Sequence, residues 1–115
     1  MTPTTFAPEP EHVMELRRQL QRFVKEKAPR QKRLQWDREH TWPRELFREI
    51  AEMGLIGLTI PAAYGGTGQD LVAAVAVIEE LSQAGAFLAG PYIHAAFYGG
   101  MNLSENGSED QKQAL

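Results

Sequence analysis

The sequence predicts an all-α fold, an up-and-down or orthogonal arrangement of about five helices, and three observations carry that prediction. Apolar residues recur at three- and four-residue spacing over 11–27 and 42–53, stop and start signals bound those stretches, and the apolar run from Leu71 continues into Glu79, Glu80 and Leu81 without a turn signal. At 115 residues with 43% hydrophobic content the chain suffices for one globular domain with a core, and is too small for a multidomain enzyme.

The first helix is expected over Glu11 to Lys27, where Val13, Leu16, Leu20, Phe23 and Val24 share one face. Residues 1–10, with three prolines, read as a flexible N-terminal tail, and they lack the basic segment and apolar core of a secretory signal. Pro29 is read as a break before a basic connector. The second helix starts near Trp42, with Thr41 or Trp42 at its cap and Pro43 at a first-turn position where a missing N–H is harmless. It is expected to bury Leu46, Phe47, Ile50, Ala51 and Met53, and Gly54 ends it.

Leu55, Ile56, Leu58 and Ile60 then carry the chain inward to Pro61, which cannot donate a backbone hydrogen bond. Tyr64, Gly65, Gly66 and Gly68 form a turn that tolerates positive φ, and Asp70 is placed to cap the third helix, Leu71 to Gln83. That helix is apolar on every side for eight residues, Leu71 to Ile78, so it must be covered on several sides. A fourth helix is expected over Phe87 to Leu103, bent near Pro91 or starting there. The last begins at Ser108, where Ser108 and Gln111 have the spacing of a capping box.

Composition removes several classes of function. The chain has no cysteine, which excludes disulfides, thiolate metal sites and a cysteine nucleophile, and is compatible with a cytoplasmic location. Net charge is −3, yet residues 17–38 hold nine Lys or Arg against Glu26 and Asp37. With no aromatic reader and no nucleic-acid motif beside it, this patch reads as the solvated face of a helix, and nucleic acid is not expected as a partner. Residues 81–104 carry no Asp, Glu, Lys or Arg, but Gly, Pro, Ser, Gln, His and Asn interrupt them, so they read as a helix buried between protein layers and not as a membrane span. His12, His40 and His94 have no ligand spacing to one another, so no metal site is expected. The glycine turn follows no predicted strand and lacks a P-loop lysine, which favours a structural turn over a phosphate cradle.

The order of these signals is itself specific. Gly54, Leu55, Gly57, Leu58, Pro61, Tyr64, Gly65, Gly66, Gly68 and Asp70, followed by Glu79, Glu80 and Leu81, stand in the register GLxGLxxPxxYGGxGxD…EEL, which resembles the N-terminal helical domain of the acyl-CoA dehydrogenases. WPRELFREIAEMG at 42–54 resembles the family's preceding helix, and NGSEDQKQAL at 106–115 its later GxxxQK helix start, so the resemblance covers residues 10–115. It implies an FAD-dependent oxidoreductase that converts an acyl-CoA thioester to a trans-enoyl-CoA, a glutamate taking the α-proton while the β-hydride passes to the flavin. It also implies an acyl-CoA substrate, an electron-transfer acceptor and a homo-oligomer for the full-length parent. The flavin contacts and the catalytic base belong to the family's middle and C-terminal domains, so this chain is expected to be a truncated piece, inactive alone, with no catalytic or cofactor-binding residue of its own.

Glu79 and Glu80 are the local carboxylates. Adjacent on a helix, they point about 100° apart, and a structural role, facing solvent or lying between helices, is the simpler reading. By resemblance, the domain supplies the floor of the acyl pocket from the helix before GxxxQK, and counting back from Gly107 places that floor at Gly90, Pro91, His94, Ala95 and Tyr98. Pro91, His94, Ala95 and Tyr98 have the spacing of one helix face, which also suits a stripe packed in the core. Pro91, Phe97 and Tyr98 are bulkier or stiffer than many family members carry there, which points to a short, branched or cyclic acyl group, and Ala62 and Ala63 replace acids at what should be a surface. The alternative function is a non-catalytic helical subunit that completes a partner's fold, with 81–104 as its contact surface.

Overall fold

The computed structural model describes residues 8–114, and its regular structure is helical throughout: α1 Glu11–Lys27, α2 Arg30–Arg38, α3 Arg44–Glu52, two short 3₁₀ turns at Ile56–Thr59 and Ala62–Tyr64, α4 Leu71–Ala84, α5 Ala86–Ile93, a π-helix His94–Met101, α6 Asn102–Asn106 and α7 Glu109–Ala114. Of the expected tail, residues 1–7 lie outside the described residues. Pro10 occupies the N-cap of α1 and Glu9 accepts two bonds from Arg17 Nε, both 3.0 Å.

Helix α4 is the centre of the packing. Ala73, Ala74, Ala76, Val77, Leu81 and Ala84 are buried along it, and small alanines let α1 and α5 approach closely. The larger core joins Leu20, Ala28, Leu46, Ile50, Leu55, Val77, Leu81, Leu88, Tyr92 and Ala96, so every major helix except α2 contributes a fully buried side chain to it. The expected cover of α4 on several sides is only partly met: α1, α5 and the Ile56–Thr59 turn pack against it, but Leu71, Val72 and Val75 remain 46%, 55% and 47% exposed. The described residues form a plate of 44 × 42 × 20 Å with a radius of gyration of 15.4 Å. A compact domain of this size would have about 13 Å.

The N-terminus of α4 forms as its sequence dictates. Asp70 accepts the Ala73 amide at 3.0 Å and faces His12 Nε2 at 2.7 Å, which pins the start of α4 to α1. The Ala73 amide, and then His12, hold the Asp70 carboxyl below the ordinary carboxylate range. At the other end of the contact, Arg17 reaches Glu80 at 3.1 Å and Glu79 at 3.2 Å, while Gln21 also donates to Glu80. Glu9 first, with Glu79 and Glu80, raises the Arg17 guanidinium further above its usual range. The adjacent glutamates are thus an inter-helix clasp.

Three expectations are corrected. The basic connector after Pro29 is itself helix α2, with Pro29 at its N-cap. It buries no residue and rests on the core through Arg33 Nη1, which donates to the Ala84 carbonyl at 2.8 Å, and through Trp36, whose ring lies 5.8 Å from that of Phe87. Helix α3 begins one or two residues later than a cap at Trp42 or Thr41 suggests, with Pro43 at the N-cap, and Trp42 instead donates to the Phe87 carbonyl at 2.8 Å. Of its expected core residues Leu46 and Ile50 are buried and Phe47 half-buried, whereas Ala51 and Met53 are exposed because they fall on the solvent side of a helix packed along one face.

Candidate functional site

The segment from Gly54 to Asp70 is a tightly folded platform under the π-helix. Gly54, Gly65 and Gly68 adopt φ of +80°, +90° and +97°, which only glycine accommodates at little cost. Gly66 is required for a different reason: a Cβ there would stand 2.0 Å from the Ile60 carbonyl oxygen. The amides of Gly66, Thr67, Gly68 and Asp70 donate to the carbonyls of Pro61, Gly57, Ile60 and Leu58 at 3.2, 3.1, 3.2 and 2.8 Å. Those amides are the donors a phosphate would need, so the glycine turn is filled by its own backbone and does not fit a dinucleotide.

Two buried polar bonds join this platform to the helix above it. Tyr92 Oη donates to the Leu55 carbonyl at 2.8 Å, and burial pushes its hydroxyl well above the usual tyrosine range. Thr59 Oγ1 donates to the Ala96 carbonyl, with both residues fully buried. Above these anchors the chain runs unbroken from Ala86 to Asn106, its middle third in π geometry. Pro91 sits inside α5 without ending it. An expected α-helix over Phe87 to Leu103 is therefore corrected in its centre, where Gly99 and Gly100 have no Cβ and approach the carbonyls of His94 and Ala95, 3.3 Å from where each Cβ would lie.

Of the five predicted site residues, Gly90, Pro91 and Ala95 are half-buried, His94 is exposed, and Tyr98 is 64% exposed. His94 and Tyr98 meet ring to ring, 5.1 Å between centroids with planes tilted by 56°. Tyr98 borders a surface cleft of about 380 Å³ whose other walls include Asn102, Leu103, Asn106 and Gln111. These four lie outside the stripe counted back from Gly107: Asn102, Leu103 and Asn106 follow Tyr98 on the same continuous helical segment, and Gln111 comes from α7, which the chain folds back beside them. Below the cleft, Ser108 and Gln111 close the expected capping box in both directions, Ser108 N to Gln111 Oε1 at 2.9 Å and Gln111 N to Ser108 Oγ at 3.2 Å. Tyr64 donates to Glu109 at 2.8 Å and lies under Lys112 Nζ at 5.7 Å, which ties α7 to the glycine turn.

Among the described residues no helix is long and apolar enough to cross a membrane. No solved structure matches the chain. Among curated proteins it is 32% identical to a probable acyl-CoA dehydrogenase, YngJ, of Bacillus subtilis (strain 168) over 67% of this chain and 20% of that protein. It is 30% identical to the mitochondrial isovaleryl-CoA dehydrogenase of Pongo abelii over 90% of this chain and 25% of that protein, and 38% identical to a (2S)-methylsuccinyl-CoA dehydrogenase of Cereibacter sphaeroides over 59% and 12%. The chain thus spans about a quarter or less of the length of these relatives. The model of the acyl-CoA dehydrogenase N-terminal domain matches residues 10–115, and with the platform and helix order described above it places this chain in the acyl-CoA dehydrogenase family, as the N-terminal domain.

Proposed function

We propose that this chain is the N-terminal portion of an FAD-dependent acyl-CoA dehydrogenase, that it supplies the floor of the acyl pocket, and that it does not catalyse alone. The observation that carries this reading is the exposed His94–Tyr98 pair: two rings in tilted contact on the outer face of a helix whose inner face is anchored by Tyr92, Thr59 and Ala96. A stripe that served only the core would be covered. Gly90, Pro91, His94, Ala95 and Tyr98 line the acyl group, and Ala95 is half-buried on that stripe.

The glycine turn of this chain does not fit the phosphates of a flavin dinucleotide. The amide donors of its glycine turn are engaged by carbonyls of the same segment, and Glu79 and Glu80 are engaged by Arg17, so the turn offers no phosphate cradle and the glutamate pair no free base. Its contribution to the reaction is positional: to orient and desolvate the acyl portion of a thioester. Substrate, electron acceptor and homo-oligomeric assembly are properties of the complete enzyme, and we place that enzyme in the cytoplasm.

Two measurements test this. The 115-residue chain, purified alone, should carry no stoichiometric flavin absorbance and oxidise no acyl-CoA; a yellow protein with one flavin per chain overturns the assignment. In the complete enzyme, Ala95→Trp should lower acyl-CoA turnover far more than flavin content, and equal loss of both would make Ala95 a core residue. A second reading, a non-catalytic helical subunit, is favoured by the exposed Leu71, Val72 and Val75 on α4. It would be supported if no polypeptide carrying this chain had a flavin-binding segment.

A further inference from the structure

Thr59 is the one uncharged polar residue among the fully buried side chains of the described residues apart from Tyr92, and its hydroxyl has a single partner, the Ala96 carbonyl in the middle of the π-helix. A buried hydroxyl needs a partner, and a helix carbonyl normally has one already four residues along the chain. At Ala96 a second donor from a different segment draws the carbonyl outward, which favours the wider i to i+5 ladder over the α register. The same platform supplies the complementary shape: Ile60, next in sequence, lies 3.1 Å from where a Cβ on Gly100 would stand. The platform is fixed relative to the helix one turn earlier by Tyr92 on the Leu55 carbonyl, and within itself by Thr67 N on the Gly57 carbonyl at 3.1 Å.

The consequence concerns direction. Successive α-helical residues are rotated by about 100°, so a one-residue change of register inside 94–101 swings every later side chain by about that angle. Tyr98 and Asn102 would leave the face that borders the cleft.

We propose that Thr59 is a positioning residue: by occupying the Ala96 carbonyl its hydroxyl holds the helix in π register, and so sets the face that Tyr98 presents to the acyl portion of an acyl-CoA thioester. The acyl-CoA half rests on the pocket assignment above; the register half does not.

Through-hydrogen-bond NMR couplings on the chain test the register half without any ligand. The wild-type chain should show i to i+5 couplings within His94–Met101. Thr59→Val, which removes the hydroxyl at nearly constant volume, should replace them with i to i+4 couplings, and Thr59→Ser should retain them. A wild-type chain with i to i+4 couplings only, or a folded Thr59→Val chain with the i to i+5 ladder intact, overturns the proposal. If Thr59→Val does not fold, Thr59→Ser decides: an α register there overturns it and a π register supports it. In the complete enzyme, Thr59→Val should raise KM for acyl-CoA by roughly tenfold, the scale of a small misfit in an apolar pocket, with kcat and flavin content held and Thr59→Ser restoring KM. A register change with KM unmoved overturns the acyl-facing role and the pocket assignment, and leaves the register role standing.

Discussion

The platform and π-helix, residues 54–70 with 92–101, and helix α2, residues 30–38, are held by opposite means. In the first, polar groups turn inward: Thr59 and Tyr92 spend buried hydroxyls on backbone carbonyls, and four amides of the glycine turn close on the carbonyls beneath them. In the second no residue is buried, and the helix is retained by one guanidinium on a helix-end carbonyl and one indole on an aromatic edge. The difference teaches where this fold tolerates change. Buried hydrogen bonds must be made or their full desolvation cost appears, whereas a surface helix can open locally and leave the core as it was.

That contrast is easiest to break at Gly66. Gly66→Ala drives a Cβ into the Ile60 carbonyl, 2.0 Å away, and backbone cannot yield as a side chain would. We expect a loss of about 3 kcal/mol, read by chemical denaturation. A change no larger than that of an exposed substitution would mean that the platform is loose.

A smaller effect should come from Asp70, where the platform hands over to α4. Asp70→Ala removes the cap on the Ala73 amide and should cost about 1 kcal/mol at neutral pH. Because the folded state holds this carboxyl below its ordinary value of 3.8, its contribution is complete above that value and fades as pH falls through the depressed folded one. The wild-type and Asp70→Ala stability curves should therefore converge in acid and part above the carboxylate range. Curves that stay parallel to low pH would show that the cap does not depend on the charge.

The smallest global effect belongs to α2. Arg33→Met removes the bond to the Ala84 carbonyl and should cost about 0.5 kcal/mol overall. Amide exchange over Arg30–Arg38 should nevertheless quicken markedly, with α4 protection unchanged. Equal loss of protection in both helices would erase the distinction between the two regions.

The same contrast explains what could be read from the chain. Helix α1, the Asp70 cap, the α4 start and the Ser108–Gln111 box were legible because each writes its physics locally, as a periodic apolar face or a capping side chain at fixed offset. Helix α2 was not, because it buries nothing and so has no apolar period, and its end carries no glycine: His40 takes the positive φ of +52° there. The π-helix was hidden for another reason. Its register depends on Thr59, more than thirty residues upstream, and nothing in HAAFYGGM itself distinguishes a wide turn from an ordinary one beyond two adjacent glycines. The five residues proposed for the acyl-pocket floor came from the family register. The exposure of His94 and Tyr98 came from the fold, and so did the neighbours Asn102 and Gln111.

The plate shape described above has a hydrodynamic meaning. An object 20 Å thick and more than twice as broad in both other directions tumbles and diffuses as a disc, with more friction than a sphere of equal mass. Warming should loosen it first at helix α2, which buries no residue, and last along the face of α4 that α1 and α5 cover.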